Sequence, residues 1–235
     1  MDFIFMLTRR DETVADCLEV FDTVRDLGLA HVGFKDVGVD FDTLKTLTRR
    51  IKDAGVVTYM EVVRTTPEAV LNSAMIAARL GIDRLMGGTE VDAVLRVIKG
   101  TGIAYYPFPG RPVGHPTRLG GSPEQIEADC ARYIGRGCAG VDLLAYRATE
   151  AEPLALVRAA RRGLGSGGHL ICAGSIDSVD RIRALAEAGA DGFTIGSAAF
   201  DGSFSPRKGL LAHQLLDILA AAANPGSTRR AKGAA

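Results

Sequence analysis

The chain has 235 residues, and its 28 Lys and Arg are balanced by 28 Asp and Glu. A neutral protein lacks the positive field that grips nucleic acid or an anionic membrane surface, so neither is an expected partner. With 47% hydrophobic and 24% charged residues, the composition is that of a globular domain and excludes a disordered chain.

The apolar start, residues 3–7, is too short for a secretory core and runs directly into Arg9-Arg10-Asp11-Glu12, so it reads as a strand and not as a signal peptide. No uncharged apolar run approaches the roughly 18 residues of a membrane span. Val14, Cys17, Leu18, Phe21 and Val24 then recur with helical period, and a strand pattern follows at 31–35. Phe41, Leu44, Leu47 and Ile51 mark the next helix, ahead of strands at 57–62 and 84–86. Val91, Val94, Leu95 and Ile98 precede a strand at 103–106, and Ile126, Cys130, Tyr133 and Ile134 precede one at 141–145. Strands at 170–173 and 193–195 complete the series.

Glycine punctuates this alternation, falling after a helical pattern and before a strand pattern at Gly28, Gly55, Gly81, Gly102, Gly137, Gly163 and Gly189. A left-handed helix cap is expected there, because glycine adopts it at little cost. The gaps of 27, 26, 21, 35, 26 and 26 residues are each about one strand-loop-helix unit. Strands alternating with helices imply a parallel sheet, and eight consecutive units close most economically into a single-domain α/β (β/α)8 barrel over residues 1–223. An open dinucleotide-binding sheet would carry G-x-G-x-x-G after its first strand, where Thr8-Arg9-Arg10-Asp11 stands instead. Residues 224–235, without periodicity, read as a disordered tail.

Cys17, Cys130, Cys138 and Cys172 form no C-x-x-C and sit in apolar patterns, as reduced, buried thiols of a cytoplasmic protein would. The four histidines are far apart, which argues against a tight zinc site. No metal or organic cofactor is implied. Barrels of this size often pair, which leaves a homodimer as the assembly to test.

In a (β/α)8 barrel the loops that follow the strands build the active-site face. Two of them are rich in small residues, Ala173-Gly174-Ser175-Ile176-Asp177 after the seventh strand and Ile195-Gly196-Ser197-Ala198-Ala199-Phe200 after the eighth. Small side chains let backbone N–H groups approach an oxyanion, so Gly174, Ser175, Gly196 and Ser197 are the expected phosphate cradle. Together with Ala188-Gly189-Ala190-Asp191-Gly192-Phe193, these segments resemble the terminal quarter of the ribulose-phosphate-binding barrels. That superfamily includes sugar-phosphate epimerases and isomerases, decarboxylases and indole-pathway enzymes, and the resemblance implies a phosphate held at these two loops. It covers about the last third of the chain. The first strand lacks the aspartate of the histidine-pathway isomerases, and Phe34-Lys35-Asp36-Val37-Gly38-Val39-Asp40 lacks the first acid of the D-x-K-x-x-D of orotidine-phosphate decarboxylases.

The reacting groups are sought at the other strand ends. Lys35 and Asp36 close the second strand, and at least one is expected to face the barrel mouth, where burial would lower a lysine's pKa toward acid-base or Schiff-base use. Glu61 ends the third strand among apolar neighbours, and with Lys35 forms either a proton-transfer pair or a salt bridge sealing the barrel. Asp142, on the sixth strand, is a second acid or base if it points inward, or else satisfies a buried polar contact. Tyr146, Arg147 and, after the first strand, Arg9 are substrate-binding candidates, with Arg147 alternatively a solvated rim charge. The fifth unit holds a long loop, residues 107–121, stiffened by four prolines and long enough to cover the site or to meet another subunit. Arg111, His115 and Arg118 in it are candidates for addressing an anionic substrate or exchanging protons. Met86-Gly87-Gly88-Thr89-Glu90 is a further small-residue loop, suited to a second phosphate or simply to a helix start.

These readings favour an isomerase or epimerase acting on a small phosphorylated carbonyl compound through an enediolate. The alternatives are a Schiff-base aldolase or other lyase using Lys35, and a barrel that binds phosphate esters without turnover.

Overall fold

The computed structural model describes residues 1–64, 66–114 and 116–225, so His115 lies outside the described residues, as does most of the expected tail. Eight parallel strands form one sheet: β1 (Asp2–Met6), β2 (His31–Lys35), β3 (Val57–Glu61), β4 (Arg84–Met86), β5 (Ala104–Tyr106), β6 (Gly140–Leu143), β7 (His169–Cys172) and β8 (Gly192–Ile195). They run in the spatial order β6-β7-β8-β1-β2-β3-β4-β5. The seam between β5 and β6 is closed by Ala139 N–H donating to Tyr105 O (3.0 Å) and Asp142 N–H to Pro107 O (3.1 Å), so the eight units make a barrel.

The helices follow the apolar periodicity: α1 (Cys17–Val24), α2 (Phe41–Asp53), α3 (Pro67–Leu80), α4 (Val91–Val97), α5 (Pro123–Gly135), α6 (Pro153–Leu164), α7 (Val179–Ala188), a single turn α8 (Ser197–Phe200) and α9 (Leu211–Ala223). Side-chain caps start several of them, as where Asp40 accepts from Thr43 N–H (2.8 Å) at α2 and Ser122 from Gln125 N–H (3.3 Å) at α5. No helix among the described residues is long and apolar enough to cross a membrane. The four cysteines are free and buried.

Six of the seven punctuating glycines are left-handed at helix ends, but Gly163 is not. It lies inside α6, whose cap is Gly165. A Cβ on Gly163 would sit 2.2 Å from the backbone oxygen of Glu127, so glycine is needed there for the close approach of α5 and α6.

Strand alternation divides the core in two. Outward side chains pack under the helices, while Ile4, Met6, Tyr59, Met86, Tyr106 and Ile171 fill the barrel axis. Above this apolar plug, toward the strands' C-terminal ends, buried inward positions carry ionisable side chains: Lys35, Glu61 and Asp142. Below it, Asp2, His31, Arg84 and His169 gather at the opposite pole.

Candidate active site

Burying a charge at the end of a strand is costly unless it is paired. Lys35 is only 5% exposed, and its register partner across the β2–β3 ladder is Glu61. Lys35 Nζ lies 3.4 Å from Glu61 Oε2 and donates to Asp11 Oδ1 at 2.8 Å. Asp11 carries no strong signal in the sequence. It arrives on a hairpin after β1, in which Thr8–Arg9 pairs antiparallel with Glu12–Thr13. Its two turn residues, Arg10 (φ 53°) and Asp11 (φ 64°), are both left-handed, as a tight two-residue hairpin requires. That conformation costs a non-glycine residue about 1 kcal/mol or more. The hairpin is held by the Thr13 hydroxyl, which donates to Lys35 O and accepts from Lys35 N–H, both at 2.8 Å.

Arg147 leaves the turn Ala145–Arg147 after β6 and forks onto the same carboxylate, with its two terminal nitrogens each 3.2 Å from an Asp11 oxygen. It also donates to Thr117 O at 3.4 Å. Asp11 is thus shared between two cations. Burial pushes its pKa up, but Lys35 and Arg147 outweigh burial and hold it at about 2.

The same carboxylates correct the expectation for Lys35. Burial would lower its pKa, but Glu61 and Asp11 more than offset this and raise it, so the resting side chain is an ammonium ion. Asp142 does point inward, yet it satisfies no polar contact. Fully buried, neither of its oxygens has a hydrogen-bond partner among the described residues. Burial first, and then the charge of Glu61, push its pKa well above the ordinary carboxylate range, so this carboxyl stays protonated.

Lys35, Glu61, Asp11 and Arg147 line a cavity of about 260 Å³ whose other wall is Gly174, Ser175, Gly196 and Ser197. Among the described residues, the backbone N–H groups of Gly174, Ser175 and Gly196 donate to no protein acceptor. Gly174 (φ 78°) and Ser175 (φ 57°) are both left-handed, and a Cβ on Gly174 would lie 2.4 Å from Arg147 Nε. A Cβ on Gly196 would meet Thr8 Oγ1 at 2.6 Å. Both loops therefore press bare backbone against the neighbouring strand ends.

Other candidates lie elsewhere. Arg9 pairs with Asp201 (2.8 Å) and donates to Phe200 O (2.9 Å), and it is not among the cavity lining. Arg111 is bound by both oxygens of Glu150 (2.8 and 2.6 Å) and by Gln125 (2.8 Å), so its guanidinium is already engaged. Asp36 turns away from the mouth and accepts from Ser73 Oγ and from Val63 N–H. Tyr146 lines an adjoining cavity, with the Arg181 guanidinium stacked 4.8 Å from its ring centroid. The long fifth loop forms a hairpin, Arg111–Val113 with Arg118–Gly120, and none of its described residues lines the main cavity. Gly87 and Gly88 pack against Phe108 and Val70, also outside it.

The sequence matches no protein-family model and no curated protein. Among solved structures, the native KDPGal structure superposes with a TM-score of 0.69 at 15% identity, covering 96% of both chains. The orotidine 5'-phosphate decarboxylase from Pyrococcus horikoshii gives 0.64 at 13% identity, over 94% of this chain and 99% of that one. The thiamine phosphate pyrophosphorylase from Pyrococcus furiosus gives 0.60 at 11%, over 93% and 96%. The chain shares the (β/α)8-barrel fold of these structures. That likeness spans nearly the whole chain, whereas the sequence resemblance to the ribulose-phosphate-binding barrels rests on the β7 and β8 loops. At such identities the likeness is one of fold, and the chemistry rests on the residues just described.

Proposed function

We propose that this protein is an isomerase or epimerase that moves a proton next to the carbonyl of a small phosphorylated compound. The observation that carries this reading is the placing of a lysine ammonium and a carboxylate, 3.4 Å apart, in the same cavity as the unpaired N–H groups of the β7 and β8 loops. The phosphate would rest on Gly174, Ser175, Gly196 and Ser197. Glu61 would take the proton from the carbon beside the carbonyl, leaving an enediolate, and return it to the neighbouring carbon or to the opposite face. An ammonium has three N–H donors. One of those on Lys35 goes to Asp11 and another faces Glu61, so the third is free to stabilise the developing oxyanion.

A Schiff-base lyase needs Lys35 as a free amine, which two flanking carboxylates oppose. The deciding experiment incubates the protein with triose, pentose and hexose phosphates in D2O and follows carbon-bound deuterium by NMR. Incorporation that is lost in Glu61→Gln and Lys35→Ala, with inorganic phosphate still bound, is expected. Ligands that bind without exchange would point to a barrel without turnover, and a borohydride-trapped adduct on Lys35 would point to the lyase.

A further inference from the structure

Beside the main cavity is a second one of about 370 Å³, and the two meet at Arg147 and Ser175, which line both. Their charges differ. Four carboxylates, those of Asp11, Glu61, Asp177 and Asp201, line the first, whereas the described lining of the second contains Arg118 and Arg147 and no acidic residue. The remaining polar wall is Thr117, Tyr146 and Thr149.

Arg118 is the unusual member. Neighbouring arginines are committed: Arg111 to Glu150, Arg147 to Asp11 and Arg181 to Asp177. Arg118 is exposed, and its guanidinium has no hydrogen bond or ion pair with any described residue. Its backbone is nevertheless fixed, because Arg118 pairs with Val113 in the hairpin and the next residue, Leu119, accepts from Thr149 N–H at 2.9 Å. A guanidinium without a carboxylate, on a rigid hairpin beside a second guanidinium, is suited to binding an oxyanion through paired N–H donors.

We propose that this annex receives a second anionic group of the substrate, a carboxylate or a phosphate, carried at the end opposite the phosphate held by the β7 and β8 loops. The inference rests on the phosphate reading above and narrows the substrate class to phosphorylated acids and bisphosphates. Arg118 is the specificity-determining residue, and Arg147 bridges the two anion sites.

The test is titration calorimetry of the full chain with three probes of equal carbon length: sorbitol 6-phosphate, 6-phosphogluconate and a hexitol 1,6-bisphosphate. The doubly anionic probes should bind at least tenfold more tightly than sorbitol 6-phosphate, and Arg118→Ala should bring all three to about the same affinity. Whichever of the two binds more tightly identifies the second group as carboxylate or phosphate. Equal affinities in the unaltered protein would overturn the annex while leaving the phosphate reading in place. A preference that survives Arg118→Ala would overturn the assignment to this site. Failure of all three probes to bind would overturn both readings together.

Discussion

Asp11 joins the only two cations that line the main cavity among the described residues, so replacing it tests how the site is held together. Asp11→Asn keeps the shape of the side chain. Asparagine also tolerates the left-handed backbone that the turn imposes, so the hairpin itself is not strained by the change. What is lost is the negative charge between Lys35 and Arg147. A carboxyl held at about 2 in the folded chain, against an ordinary 3.8, contributes about 2.5 kcal/mol at neutral pH, since each unit is worth roughly 1.4 kcal/mol. With its side chain only 10% exposed, solvent screening removes little of this.

The sign fixes the pH dependence. The folded pKa is depressed, so the stabilisation is complete above the unfolded value and disappears as pH falls through the folded one. Urea unfolding at pH 7 should therefore show Asp11→Asn less stable by about 2 kcal/mol, and at pH 3 by about half as much. A difference below about 0.5 kcal/mol at pH 7, or one that does not shrink on acidification, would refute the shared-carboxylate account.

Two further expectations concern buried groups of opposite sign. Asp142 has its pKa raised by burial, so it gives up a proton on unfolding and its contribution to stability falls as pH rises above the ordinary carboxylate range. Asp142→Asn should gain stability relative to the unaltered chain between pH 5 and pH 8 in urea unfolding, and a constant difference would count against a protonated Asp142. At the opposite pole, His31 and His169 share Asp2 (3.8 and 3.4 Å), and burial lowers the pKa of both, with Arg84 adding to the effect. Stability should therefore decline as pH falls below about 6.5. The double variant His31→Gln/His169→Gln should flatten that decline, measured as melting temperature between pH 7.5 and pH 5.

How much of this was legible in the sequence depends on the distance over which each signal acts. Helix and strand periods are local, and the order of the eight units followed from them. The glycine rule is local too, and it failed only at Gly163, where a glycine needed for contact between two helices lies two residues before the one that caps the helix, Gly165. Lys35 and Glu61 could be paired because adjacent parallel strands bring their equivalent ends together, as the β2–β3 register does. The direction of the lysine's pKa could not be read from that register alone, because it depends on Asp11 as well as on Glu61, and Asp11 arrives on the hairpin after β1 and not at an adjacent strand end.

Asp11 was nonetheless within reach of a stricter argument. It follows β1 in the same loop as Thr8 and Arg9, and polar residues in any loop after a strand deserve equal weight in this fold. What concealed it was the turn chemistry: a two-residue hairpin with Arg and Asp at positions that usually take Asn and Gly. Arg111 and Arg118, seven residues apart in one loop, differ through equally distant neighbours. Arg111 pairs with Gly120 and Arg118 with Val113, two ladder positions apart, so strand alternation places both on one face of the hairpin and does not separate them. Their surroundings do: Arg111 meets Glu150, whereas Arg118 lines the annex, whose described lining holds no acid. Composition treats those two arginines alike, and only the residues brought beside the hairpin decide which one is free to meet a substrate.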